Sequence, residues 1–190
     1  MHVYQLNMKD LNQNSMTLKT LLSLDPMDYY PFLSKGYILD WLLKTEQYWL
    51  RRFMRNLRKE EYYTFHRPNK LLKYYYQRKK NRLGRKLGFF IPAGCFDSGL
   101  KIYHYGSIIV NPKARIGKNC TIHGNCCIGS KGTLPDDSPV IGDHVDIGQN
   151  AQILGGITIA NGVKIGASAV VTKSVTEPNV TVVRIPGKII

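Results

Sequence analysis

Two histidines stand where a side chain could do acid–base chemistry. His104 lies in "IYHYG" and His123 in "TIHGN", each within two positions of an isoleucine. A neutral imidazole can take the proton from a hydroxyl group and make its oxygen nucleophilic, and the ordinary pKa of histidine, near neutrality, suits this task. His104 is therefore a candidate general base. His123 is either a second residue of the same pocket or an ordinary surface histidine.

The chain around both histidines repeats with a period of six. Neither a helix nor a half-buried strand has this period, whereas short strands joined by corners do. We interpret the repeat as a parallel β-helix over residues 89–190, with the aliphatic side chains inside and small residues at the corners. Cys120 and Cys126 then occupy corner positions as core thiols. The aliphatic positions are Val110, Ile116, Ile122, Ile128, Ile141, Ile147, Ile153, Ile159, Ile165 and Val171.

The period is broken twice, and both breaks lie near candidate chemistry. Extended backwards, the register passes through Phe96 and Ile102, then gains two residues around "YHYG" before Val110. After Ile128 the loop "SKGTLPDDSP" delays the next aliphatic position. Loops on repeat scaffolds commonly carry function. We expect the first break to turn His104 onto the outer face.

The motifs "HYGSIIV", "IGDHVDIGQNAQILGGITIANGVKIGASAVV" and "RIPGKII" carry a family resemblance. The chain resembles the hexapeptide-repeat acyltransferases, in particular the serine acetyltransferase-like enzymes of capsule and exopolysaccharide pathways. The resemblance implies a left-handed β-helix, acetyl-CoA as donor, and a homotrimer with active sites between subunits. It also implies that His104 is the general base. The sequence shows no metal-ligand cluster, so we expect no metal.

The acceptor side departs from the family pattern. The family's Arg-His pair before the loop proline reads Asp137–Ser138 here, and the Asp that normally precedes the base is Tyr103. The family's orienting Asp, fifteen residues upstream of the base, falls on Phe89, which leaves Asp97 or a neighbouring subunit's residue as candidates for orienting His104. The residues that we expect to line the acceptor site are Tyr103, His123, Asp136 and Asp137.

These departures bear on the substrate. An amino-acid carboxylate calls for an arginine fork, which the loop lacks. We therefore predict acetyl transfer to a hydroxyl of an envelope saccharide or its lipid-linked precursor. Two alternatives stay open: a serine O-acetyltransferase of cysteine biosynthesis, and a non-catalytic repeat scaffold whose basic arm binds nucleic acid or lipid.

The donor side fits the family better. The resemblance implies a groove between subunits in which small residues leave room for the pantetheine arm, with lysines near the CoA phosphates at its far end. The same residues could instead be corners that the fold requires, or lysines that are merely exposed. The residues concerned are Gly148, Ala151, Gly166, Ala167, Lys173 and Lys188.

Residues 1–88 form a basic region that we predict to be helical over 16–83. Interruptions are expected at Pro26, Pro31, Gly36 and Pro68, and Gly84 and Gly88 should loosen the chain before the first coil. A stripe at helical spacing predicts one packing face. Its members are Ile38, Trp41, Leu42, Tyr48, Trp49 and Phe53.

The basic charge is concentrated in residues 51–86, which hold most of the excess behind the net charge of +14. Such a segment is either a solvated helical scaffold or a contact with nucleic acid, an acidic polymer or a membrane surface. The enzyme interpretation disfavours nucleic acid. No signal-peptide core and no spanning apolar run is seen. We expect a cytoplasmic protein, compatible with peripheral contact at the inner face of the membrane.

Overall fold

Helices make up the N-terminal region of the computed structural model, which describes residues 16–25, 34–132 and 137–190. The predicted interruptions at Pro26 and Pro31 lie outside these residues. The described part contains α1 (Leu18–Ser23), α2 (Lys35–Leu43), α3 (Glu46–Glu61) and α4 (Lys70–Leu87), with a π-helical turn at Tyr62–His66. Within it, no helix is both long enough and apolar enough to cross a membrane.

The predicted packing stripe is wrong in its first half. Lys44, the C-cap of α2, has a left-handed backbone with φ of 54°, so α2 and α3 are separate helices with unrelated faces. Trp41 and Leu42 are 55% and 64% exposed, and Ile38 is 49% exposed. Trp49 and Phe53, which follow the break, do pack against the core. Gly36 does not interrupt a helix either, because it lies inside α2.

Part of the basic charge of residues 51–86 is internal. Arg51 pairs with Asp40 at 2.7 Å, and Lys80 pairs with Glu60 at 2.9 Å. Arg58 is 1% exposed and donates to Asp25 and to Glu61. These three cations therefore hold helices together, as the scaffold interpretation expects.

Gly84 and Gly88 tighten the junction rather than loosen it. A Cβ on Gly84, inside α4, would lie 2.6 Å from the carbonyl oxygen of Phe89, so only glycine lets the helix approach the first strand this closely. Gly88 is the residue after α4 and has φ of 80°, the left-handed cap that commonly ends a helix. The helix is thereby fixed to the start of the next region.

Short strands follow from Phe89 to the end of the chain. They form three sheets, in the orders β1-β3-β6-β9-β12, β4-β7-β10 and β2-β5-β8-β11-β13-β14. All neighbours are parallel except β13 and β14. The strands are β1 (Phe89–Phe90), β2 (Lys101–Ile102), β3 (Ile108–Val110), β4 (Arg115–Ile116), β5 (Thr121–Ile122), β6 (Cys127–Gly129), β7 (Val140–Ile141), β8 (Asp146–Ile147), β9 (Gln152–Leu154), β10 (Thr158–Ile159), β11 (Lys164–Ile165), β12 (Val170–Val171), β13 (Thr181–Val183) and β14 (Lys188–Ile189).

The chain visits the three sheets in turn, which confirms the predicted parallel β-helix. Lys164 pairs with Asp146, three six-residue units earlier, so three units complete one coil. Every aliphatic position of the repeat is buried, and Phe96 bridges to Ile116 as the extended register predicts. Buried residues of α3 and α4 join the same core. The division into domains 1–88 and 89–190 stays a prediction, although α4 ends at Leu87 and β1 begins at Phe89.

The cysteines show how the corners are filled. Cys120 and Cys126 are buried at their predicted corners, Cys95 is buried in the first coil, and Cys127 is only partly buried. Burial raises the pKa of Cys120 to about 12 and that of Cys95 to about 11. None of the four forms a disulfide within the described chain.

We expect Cys127 alone to react quickly with Ellman's reagent in the native protein. Burial raises the pKa of all four thiols, but only Cys127 is partly exposed, whereas the other three are also shielded from the reagent. All four should react after unfolding in guanidinium chloride. A Cys127→Ser variant serves as control and should show no fast phase. Two or more fast thiols in the wild type would contradict the corner assignment.

Candidate active site

His104 lies between β2 and β3, and its side chain is 59% exposed. Its Nδ1 is 3.2 Å from Oε2 of Glu46, the first residue of α3. The other oxygen of Glu46 accepts the backbone N–H of Tyr105 at 2.8 Å. The break in the repeat therefore places His104 on the outer face, as predicted, beside a carboxylate from the helical region.

The carboxylate beside His104 was not found by sequence reasoning. Asp97, the candidate named above, instead accepts the backbone N–H of Ser98 at 2.6 Å. A sequence signal did exist for the start of α3, because Thr45 caps the helix and an acid follows it. Nothing in that signal indicates contact with a residue so far along the chain.

Four residues form a row on the outer face of the β2-β5-β8-β11 sheet. They are Tyr103, His123, Gly148 and Gly166, each following a buried isoleucine that pairs with the next in register. Their backbone N–H groups continue the same ladder of hydrogen bonds. Because strands lie about 4.8 Å apart, this outer row is about 14 Å long.

Aromatic rings occupy the end of the outer row beside His104. The rings of Tyr103 and His123 are stacked with centroids 4.6 Å apart, and the ring of Tyr103 is 6.3 Å from that of His104. Nε2 of His123 lies 3.5 Å from a carboxylate oxygen of Asp146. Lys101 donates to the hydroxyl of Tyr103 at 3.0 Å. His123 thus shares a surface with His104, as one of its two interpretations requires.

The other end of the outer row has no side chains. A Cβ on Gly148 would lie 2.7 Å from the carbonyl oxygen of Ile165, and one on Gly166 would lie 2.9 Å from Val183. The backbone of the next coil therefore requires glycine at 148, and the side chain of Val183 leaves little room for a larger residue at 166. Both glycines also leave a bare strip beside His123. Ala167 is exposed next to this strip.

The other three residues of the predicted cofactor set differ in exposure, since one is buried and two are exposed. Ala151 is fully buried, so its methyl group fills a corner of the core and is not available to a ligand. Lys173 and Lys188 are exposed, as a phosphate contact would need. Ala151 is therefore removed from the set.

In the loop "SKGTLPDDSP", the carboxylate of Asp137 has a structural role. Asp137 is 9% exposed, and its carboxylate accepts the backbone N–H groups of Lys131 and Gly156. A carboxylate committed to two backbone donors ties the loop to the next coil. Acceptor binding by Asp137 stays a prediction, and Asp136 lies outside the described residues.

Comparison with known proteins adds to this geometry. Residues 138–173 match the family model described as bacterial transferase hexapeptide (six repeats). The chain is 37% identical over 101 residues to the serine acetyltransferase of Buchnera aphidicola subsp. Schizaphis graminum, covering 52% of this chain and 38% of that protein. It is 37% identical over 125 residues to that of Staphylococcus xylosus, covering 60% of this chain and 57% of that protein.

Solved structures agree with these matches. The crystal structure of Neisseria gonorrhoeae serine acetyltransferase superimposes with a TM-score of 0.65 at 30% identity, covering 91% of this chain and 65% of that one. The chain shares its fold with serine acetyltransferases. A serine acetyltransferase solved in complex with CoA has the same fold, with a TM-score of 0.61 at 22% identity over 75% of this chain and 57% of that one.

The comparisons bear on the predicted acceptor. The chain spans about half the length of the curated relatives it matches. The relatives named here are serine acetyltransferases, and none is described as an enzyme of capsule or exopolysaccharide synthesis. The comparisons thus favour the serine alternative over the saccharide prediction.

Proposed function

We propose that the protein is an O-acetyltransferase that uses acetyl-CoA, with His104 as its general base. The observation that carries this proposal is the placement of His104. One ring nitrogen faces a carboxylate, and the exposed ring stands at the head of a row that ends in a bare strip. His104 takes the proton of the acceptor hydroxyl while its oxygen attacks the thioester carbonyl. The carbon–sulfur bond then breaks, and the imidazolium returns the proton to the departing CoA thiolate.

The donor fits along the outer row. We infer that the pantetheine arm lies on the strip formed by Gly148 and Gly166, beside Ala167, with its thioester at the end nearest His104. Lys173 and Lys188 are the cations proposed for the CoA phosphates. The β-helix is proposed to wind left-handed and to assemble as a homotrimer that closes this groove. The matching serine acetyltransferase solved with CoA supports the choice of donor.

L-Serine is the first acceptor to consider, because the relatives are serine acetyltransferases. One observation supports a saccharide hydroxyl as a second candidate acceptor. The loop "SKGTLPDDSP" contains no arginine, and its Lys131 donates to the carbonyl oxygen of Thr172. A cation that could hold an amino-acid carboxylate is therefore not supplied by the described residues of this loop.

The proposed activity predicts CoA release that depends on an acceptor hydroxyl. Thiol formation from acetyl-CoA should rise with L-serine and stay at the background rate with L-alanine, which has the same carboxylate and ammonium but no hydroxyl. Neutral oligosaccharides tested in parallel decide between the two candidate acceptors. Turnover of a saccharide with no turnover of L-serine would select the second candidate. No turnover with any hydroxyl acceptor would refute the activity.

A further inference from the structure

We propose that Glu46 is the positioning residue of the active site, holding His104 in the tautomer that leaves Nε2 free to accept a proton. This inference rests on the proposed function, in which His104 is the base. It assigns a catalytic contribution to the helical region, because Glu46 is the first residue of α3. The two residues are far apart in the chain and meet only in the fold.

The geometry specifies the tautomer. Oε2 of Glu46 lies 3.2 Å from Nδ1 of His104, and an ionised carboxylate can only accept a hydrogen bond. Nδ1 must therefore carry the hydrogen, so the lone pair is on Nε2. Nε2 is then the atom that meets the acceptor hydroxyl. Carboxylate–histidine pairs of this kind fix both ring orientation and tautomer.

The contacts of Glu46 favour positioning over substrate binding. Its Oε1 accepts the backbone N–H of Tyr105 at 2.8 Å, so both oxygens are engaged on the segment that carries His104. Each oxygen of Glu46 thus already fixes the segment that carries His104, which is what a positioning role requires. The residue that stands at the family's orienting position is Phe89, which is buried against Phe53 with ring centroids 4.9 Å apart. Glu46 supplies what Phe89 cannot.

Glu46 is itself held in place by the α2–α3 corner. The hydroxyl of Thr45, the N-cap of α3, donates to Asp40 at 2.8 Å, and Arg51 donates to the other oxygen of Asp40 at 2.7 Å. Arg51 and Asp40 are 4% and 9% exposed. A buried ion pair therefore fixes the start of the helix from which the carboxylate reaches His104.

Steady-state kinetics of Glu46→Gln test the proposal in the full-length protein. Loss of a positioning partner should lower kcat by about 10- to 100-fold with little change in the KM for either substrate. Glu46→Asp keeps the charge and should recover part of the rate. Glu177→Gln, at an exposed acid away from the site, is the matched control and should leave kcat unchanged. A raised KM for the acceptor with unchanged kcat would overturn the positioning role in favour of substrate binding.

A second readout needs no turnover and so separates this inference from the proposed function. The imidazole ¹⁵N shifts of His104, assigned by comparison with His104→Asn, should show the Nδ1–H tautomer at about pH 8.5, well above the ordinary histidine pKa of about 6.5. Glu46→Gln should shift the population towards Nε2–H. Glu46→Ala is measured beside it, so that a folding defect in one variant does not decide the outcome. Glutamine keeps an acceptor oxygen, so the alanine variant decides: an unchanged tautomer population in folded Glu46→Ala would overturn the proposal, whether or not the wild type transfers acetyl groups.

Discussion

Replacing His104 with asparagine should lower kcat for acetyl transfer by about 10²–10⁴-fold, the usual contribution of a positioned general base. Asparagine has no group that can take the hydroxyl proton, whereas acetyl-CoA would still be held along the outer row. The KM for acetyl-CoA should therefore change little. The melting temperature should stay close to that of the wild type, because the side chain is 59% exposed. Thiol release at saturating acetyl-CoA measures the effect.

His144→Asn is the matched control for this experiment. His144 is also exposed on the β-helix, but it stands at a corner with φ of 58°, a conformation that asparagine tolerates well. The control should keep both rate and stability. A folded His104→Asn variant with the wild-type rate would remove His104 from the mechanism.

Replacing Arg58 with alanine should lower the free energy of unfolding by about 3–5 kcal/mol, because it leaves buried carboxylates without their cation. Arg58 donates to both oxygens of Asp25, to Glu61, and to the backbone carbonyls of Phe96 and Asp97. It thereby ties α3 and the segment after α1 to the first coil. Urea unfolding followed by circular dichroism measures the loss. Arg55→Ala, on the exposed side of the same helix, should cost no more than about 0.5 kcal/mol.

The deficit of Arg58→Ala should grow as pH rises. Burial raises the pKa of Glu61, while the Arg58 guanidinium opposes that rise. Without Arg58 the folded-state pKa lies further above the unfolded value, so the folded form binds the extra proton and stability is lost as pH rises through the folded pKa. The difference from the wild type should be smallest near pH 4.5, the ordinary glutamate value, and largest at neutral pH. A deficit independent of pH would show that Glu61 does not carry the effect.

The β-helix could be predicted from sequence because each of its rules is local. One inward aliphatic and one small corner residue recur every six positions, so Ile141 to Val171 are placed by counting alone. The break before Val110 was visible for the same reason, and it correctly put His104 outside. This pattern does not distinguish small residues at buried corners from small residues that line a groove. Ala151 was therefore predicted to line the CoA groove, whereas it is buried in the core.

The helical region was harder, because its decisive contacts are not periodic. Lys44, a single residue with a left-handed backbone, separates α2 from α3. The apolar residues predicted to form one packing face therefore lie on two separate helices. The contact between Glu46 and His104 depends on how α3 docks on the β-helix. That docking is set by buried ion pairs such as Arg58 with Asp25. The backbone partners of Asp137 could not be predicted for a similar reason, since they come within reach only once the coils are stacked.

The way the last coil ends has a consequence for how the molecule avoids growing into fibres. A stack of parallel strands offers open backbone edges at both of its ends, and such edges recruit further strands from other copies. At the C-terminal end the chain reverses, so that β14 pairs antiparallel with β13 and the backbone at Arg184 and Gly187 bonds to Val170 on β12. At the other end, α4 packs tightly against β1 through Gly84. The ends of the sheet that runs from β1 to β12 are thus covered by other segments of the same chain, which disfavours pairing of copies at those two edges.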